Sequence, residues 1–133
     1  MKGGGHTADP CPCCSGAAYD NCCGRWHAGP LHLQAPTAEA LMRSRYSAYV
    51  RGLAAYLQDT WHASTRPPQP MDFEPGLKWL GLDIKRTALG QPDHAEVEFV
   101  ARSKVNGRAH RLHENSRFVR EGGRWLYVDG DLS

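Results

Sequence analysis

From Thr37 onward the apolar residues fall into two textures, one of helical period and one of alternating period. Met42, Tyr46, Tyr49 and Leu53 recur at spacings of four, three and four, which marks one face of a helix. Thr37 is placed to cap that helix, and Glu39 lies in its first turn, where the helix dipole favours a carboxylate. Arg43, Ser47 and Arg51 form a polar row at i, i+4 and i+8. Gly52 separates this helix from a shorter one predicted over 53–61. Pro67, Pro68, Pro70 and Pro75 exclude regular structure beyond it, so a loop is expected there, with the reach of a lid.

From Leu77 the texture is that of strands. Gly90-Gln91-Pro92-Asp93, Asn106-Gly107 and Gly122-Gly123 mark three turns. The last two are two-residue hairpin signals, because a type I′ turn needs positive φ at both central positions. Four strands are predicted, over 78–88, 94–105, 108–121 and 124–129. Consecutive hairpins make an antiparallel meander, and the helices upstream must cover one of its faces. The expected fold class is α+β.

The hairpin turns also predict a register. With Asn106-Gly107 as a two-residue loop, Val105 pairs with Arg108, Ala101 with Leu112, Phe99 with Glu114 and Val97 with Ser116. With Gly122-Gly123 as the next loop, Phe118 faces Tyr127 and Ser116 faces Asp129. One face then gathers Val97, Phe99, Ala101, Leu112, Phe118, Trp125 and Tyr127, which is the expected core face. Glu114, Ser116 and Asp129 fall on that same face. A buried carboxylate without a partner is costly, so the two acids need cations, solvent or a ligand. Arg43, Arg45 and His62 are the upstream residues placed to meet them. A β-bulge in the 108–121 strand would shift part of this register.

The expected pocket therefore comprises Arg43, Arg45, Tyr46, Trp61, His62, Glu114, Ser116, Tyr127 and Asp129. Its structural reading is a salt bridge from Arg43 or Arg45 that ties helix to sheet. Its functional reading is a site for a small cationic or polar ligand, or an acid/base pair. No nucleophile-plus-base pair or cofactor fingerprint is visible, so no catalytic residue is assigned and the balance leans away from an enzyme.

Composition narrows the class. The 133 residues are 41% hydrophobic and 23% charged, as in a soluble globular protein. No apolar run approaches membrane-span length, and the opening Met1-Lys2-Gly3-Gly4-Gly5-His6 lacks a secretory apolar core. A cytoplasmic location is expected, with residues 1–8 disordered. Formal net charge is +2. Four thiolates and one Zn²⁺ would bring it to zero, which leaves little global drive toward nucleic acid.

All five cysteines lie between positions 11 and 23. In a reducing compartment such a cluster points to metal. Cys11 and Cys13, then eight residues of return path, then Cys22 and Cys23 can wrap one tetrahedral ion. Zinc suits four thiolates, and a closed shell of four ligands is a structural site with no open position for catalysis. Cys14 is the spare thiol. His27 is an alternative fourth ligand. The segment has no core of its own, so the metal is expected to fold it, and Cys22→Ser is expected to unfold it alone. The domain reading is a zinc module over 9–27, a linker over 28–36 and an α+β domain over 37–133.

The spacing Cys-x-Cys-x₈-Cys-Cys, with Pro12, Ser15-Gly16 and Gly24, resembles the SEC-C motif, named for the zinc-binding tail of the SecA preprotein translocase. The sequence departs from that motif at Cys14, where glycine is expected. The rest of the chain resembles the bacterial YchJ-like family through Leu41-Met42-Arg43-Ser44-Arg45-Tyr46, Thr60-Trp61-His62, and Ser116-Arg117-Phe118 through Trp125 to Asp129-Gly130. The resemblance implies a nuclear-transport-factor-two-like (cystatin-like) cone for the larger part and a structural zinc ion. It implies no reaction, since that family has no assigned activity. The SEC-C resemblance favours a protein partner docking on the zinc module; RNA or ribosome-associated binding is a weaker alternative.

Overall fold

The computed structural model describes residues 9–69 and 73–133. The segment 1–8, expected to be disordered, and Pro70 of the proline loop lie outside the described residues. A 3₁₀ turn at Tyr19–Asn21 and a four-residue helix α1, Gly24–His27, follow the first cysteines. Helix α2 spans Ala38–Arg51 and α3 spans Ala54–Asp59. Four strands complete the chain: β1 Leu77–Leu89, β2 His94–Val105, β3 Arg108–Glu121 and β4 Arg124–Leu132. They form one antiparallel sheet in sequence order.

Local chemistry sets the boundaries. The Thr37 hydroxyl accepts from the Ala40 N–H, which caps α2, and Gly52 ends it at φ 71° with its N–H on the carbonyls of Ala48 and Tyr49. Asn106 and Gly107 have φ of 50° and 81°, and Gly122 and Gly123 have 60° and 80°, the signature of type I′ turns. These turns set the β2–β3 register as the sequence predicts, with Ala101 on Leu112, Phe99 on Glu114 and Val97 on Ser116.

The β3–β4 register follows the prediction as far as Phe118 on Tyr127 and then slips. A bulge between Arg117 and Phe118 leaves Arg117 opposite Asp129 and Ser116 opposite Gly130. The extra residue belongs to β4, whereas the sequence reading considered a bulge in β3. One extra residue reverses the alternation of faces. Asp129 is thereby exposed on the outer face, where it accepts from Arg117 Nε at 2.6 Å.

Val97, Phe99, Ala101, Phe118 and Trp125 form the sheet side of the core as expected. Leu112 does not join them: it is 37% exposed. Helix α2 is buried around most of its circumference, through Leu41, Met42 and Tyr46 but also Ser44, Arg45 and Ser47. The reason lies at the other end of the chain. Cys11, Cys13, Cys22, Cys23 and Trp26 pack into the same core cluster, and Ala35 of the 28–36 segment is buried with them. The cysteine segment is thus packed on one side of α2 and the sheet on another.

Candidate metal centre and cone cavity

Tight backbone turns bring the four sulfurs together. The Cys11 N–H donates to Ala17 O at 2.9 Å, and Tyr19 N–H to Asp9 O at 2.8 Å. Cys14 occupies the left-handed region at φ 67°. That conformation is why a glycine is the natural residue there. At Gly24 a Cβ would come within 2.8 Å of Tyr19 O, so only glycine allows the Tyr19 turn to close against α1.

The sulfurs of Cys11, Cys13, Cys22 and Cys23 lie within 4.8 Å of one another, and all four residues are buried. None of the five cysteines is in a disulfide. The Cys13 and Cys22 sulfurs stand 3.6 Å apart, far longer than a sulfur–sulfur bond. Ligands about 2.3 Å from a tetrahedral zinc would be about 3.8 Å apart, so the spacing suits one such ion. Charge leads to the same conclusion. Hydrogen bonds from the Cys13 and Cys23 thiols, aided by Ser47, pull the Cys11 thiol far down, while proximity to Cys11 pushes Cys13 and Cys23 up. Four crowded sulfurs cannot all ionise without a cation, and a divalent ion removes that conflict. Four buried cysteines are clustered as one metal ion requires.

His27, the alternative fourth ligand, lies outside the four-sulfur group. Its Nε2 bonds to Ser44 O at 2.8 Å and its Nδ1 to Tyr19 Oη at 2.5 Å, so both ring nitrogens are occupied. Burial lowers its pKa, which keeps the imidazole neutral in that bridge. Cys14 is exposed, with its sulfur on Pro12 O at 3.5 Å.

The polar row of α2 meets this centre. Arg43 Nη1 donates to Cys13 O at 2.9 Å, Ser47 Oγ lies 3.5 Å from Cys11 Sγ, and the Arg51 guanidinium sits 4.1 Å over the Tyr19 ring. Ser15 Oγ, 3.1 Å from Cys22 Sγ, supports the site from within the segment. The sequence reading missed these contacts. Their signal was a polar i, i+4, i+8 row, and a row of that kind usually faces water.

Of the residues expected to line a pocket, Arg45, Tyr46, Trp61, Glu114, Ser116 and Tyr127 do share one cavity, of about 240 Å³ between α2 and the sheet. Arg43, His62 and Asp129 do not. Arg43 is committed to Cys13 and to Glu39 at 3.0 Å. His62 binds Glu121 at 2.8 Å and Ser64 at 2.7 Å. Asp129 is on the outer face for the reason given above. Trp79, Phe99 and Leu112 complete much of the apolar wall.

Arg45 is 3% exposed. Its Nη1 donates to Leu57 O at 2.9 Å and Thr60 Oγ1 at 2.7 Å, and its guanidinium lies 4.9 Å over Trp61 and 4.6 Å over Tyr127. Burial lowers its pKa. Among the described residues no carboxylate pairs with it, so the expected anchor to Glu114 is absent. Glu114 Oε2 instead accepts from Ser116 Oγ at 2.5 Å and Tyr127 Oη at 3.2 Å. Burial, then the Glu114 charge, push the Tyr127 phenol up, so it stays a donor.

Comparison with known proteins agrees with this geometry. Residues 37–130 match the family described as YchJ, middle NTF2-like domain, and residues 8–25 match the SEC-C motif. A UPF0225 protein of Methylibium petroleiphilum is 60% identical over 127 residues, covering 96% of this chain and 91% of the relative. One from Cupriavidus metallidurans is 63% identical, covering 92% and 89%. The solution structure of a SEC-C motif containing protein from Rhodopseudomonas palustris superposes with a TM-score of 0.79 at 31% identity, over 92% of this chain and 98% of that one. The crystal structure of a SEC-C motif containing protein from Psychrobacter arcticus gives 0.77 at 27%, over 96% and 85%.

Proposed function

Since the chain belongs to the UPF0225 family and joins a SEC-C motif to a YchJ-type NTF2-like domain, we propose that it is a zinc-stapled binding protein whose ligand enters the cone cavity. Zinc is the ion that four thiolates at this spacing suit best. Cys11, Cys13, Cys22 and Cys23 would hold it, and its contribution is cross-linking. With four sulfurs around it, no position remains for water or substrate. The staple presses the cysteine segment onto the Arg43–Ser47–Arg51 row of α2 and so steadies the helix that carries Arg45, Tyr46 and Tyr49.

The observation that carries the ligand reading is Arg45, a cation buried in the wall of an aromatic cavity with no carboxylate among the described residues as its partner. A pocket that is largely apolar, with a few convergent polar groups, is the usual form of a small-molecule site. All four cysteines are buried, and the Cys11 and Cys13 sulfurs lie against Ser47 and Arg43 of α2, which supports an intramolecular role for the metal over a docking role. The test is a thermal-shift screen of a broad fragment library against the zinc-loaded protein. Stabilising compounds should perturb Trp79 and Tyr127 signals and lose their effect in Glu114→Gln. A library without a single cavity-directed hit would remove the reading.

A further inference from the structure

We propose that the cone cavity takes a small zwitterion of free amino acid size, with the ligand carboxylate on Arg45 and its ammonium on Glu114. This rests on the reading that the cavity binds a ligand, and it adds the ligand's chemical class.

The cation side comes first. A guanidinium that is 3% exposed has lost most of its hydration. The carbonyl and hydroxyl on Nη1 and the two rings beside it attract the charge but bring no negative charge of their own. The Trp61 Nε1 donor, buried on the same side, has no acceptor among the described residues. This wall lacks an anion, and a carboxylate supplies one in the geometry that guanidinium matches best.

The anion side is complementary. Glu114 is steadied by the hydroxyls of Ser116 and Tyr127, and among the described residues no cation pairs with it. Hydroxyl donors orient a carboxylate without cancelling its charge. Arg45 and Glu114 line one cavity yet do not pair, because Leu57 and Thr60 hold Arg45 on the helical side while Ser116 and Tyr127 hold Glu114 on the sheet. A simple amine would meet the field of Arg45, and a simple acid would meet the field of Glu114. A molecule with both charges satisfies both walls and leaves the cavity neutral overall.

Size agrees. The volume of about 240 Å³ leaves room for a molecule of amino acid size. Tyr46, Trp79, Phe99 and Leu112 suit a short apolar side chain.

The experiment titrates the zinc-loaded protein with the twenty common amino acids and, for each apolar one, its matching amine and its matching acid. Thermal shift gives the ranking and calorimetry the affinity. At least one amino acid should bind at least tenfold tighter than both of its single-charge counterparts. Glu114→Gln, which keeps shape and removes charge, should reduce that affinity to the level of the matching acid. Gly130→Ala, which displaces the Glu114 carboxylate by collision, should do the same. Equal binding of the amine or the acid, an unchanged affinity in Glu114→Gln, or silence across the set overturns the zwitterion class. Hits from the fragment library alongside that silence would leave the ligand-binding reading standing. Silence in both would remove the two together.

Discussion

The Ser47 hydroxyl lies 3.5 Å from the Cys11 sulfur, across 36 residues of sequence, and both groups are buried. Cys11 belongs to the cysteine segment and Ser47 to the helix whose next turn face carries Tyr46 and Tyr49 into the cavity. The contact therefore links metal centre and cone through one helix. A hydroxyl donor on a thiolate stabilises its charge and aims its lone pairs at the ion. Ser47→Ala should weaken metal retention by about 10–100-fold, the usual cost of losing such a supporting bond. Competition with a chromophoric chelator measures it. Retention equal to the parent protein would mean that the hydroxyl only fills space.

Metal removal should reach beyond the cysteine segment. Its four ligands and Trp26 belong to one core with Leu41, Met42 and Tyr46, a packing that argues against a module that unfolds alone. Chelation is expected to lower Tm by roughly 10 °C or more and to speed amide exchange along α2. Exchange confined to residues 9–27, with α2 still protected, would show the two parts to be independent.

Cys14→Gly is expected to stabilise the protein. Cys14 sits at φ 67°, a region that costs a residue with a Cβ about 1–2 kcal/mol, and its sulfur is outside the four-sulfur cluster. After the entropy cost of glycine, a gain of about 1 kcal/mol should remain. Denaturation of the loaded protein would show it, with metal content unchanged at about one ion per chain. Loss of metal would mean that Cys14 is a ligand after all.

The bulge in β4 makes a paired prediction. A Cβ on Gly130 would collide with the Glu114 carboxylate, whereas Asp129 is exposed and bonded to Arg117. Gly130→Ala should shift the Glu114 side-chain resonances and weaken cavity ligands at least tenfold, about 1.4 kcal/mol. Asp129→Asn should leave ligand affinity unchanged. The opposite ranking would place Asp129 in the cavity, as simple alternation along β4 implies.

Much of this molecule was legible along the chain because the deciding chemistry is local. A threonine followed by helical periodicity specifies where α2 begins, Gly52 where it ends, and two glycine-bearing turns the pairing of β2 with β3. The cysteine spacing pointed to the same four sulfurs that the fold brings together, since two close pairs and a short return path leave little conformational choice. The cavity was partly legible for the same reason: strand alternation puts Glu114 and Ser116 on one face, and the Asn106-Gly107 turn sets them opposite Phe99 and Val97.

Tertiary structure decided what depends on contacts distant in sequence. The bulge that turns Asp129 outward is seen only in the pairing of β4 with β3, and the isolated Gly130 beside it is a weak local hint that does not give its position. Arg43 pairs with the Cys13 carbonyl rather than with a sheet carboxylate because the cysteine segment folds back onto α2, 30 residues away. Arg45 was left without a carboxylate because Leu57 and Thr60 hold it on the helical side while Ser116 and Tyr127 hold Glu114 on the sheet. Periodicity assigns a side chain to a face; which neighbour it meets there is set by packing of the whole chain.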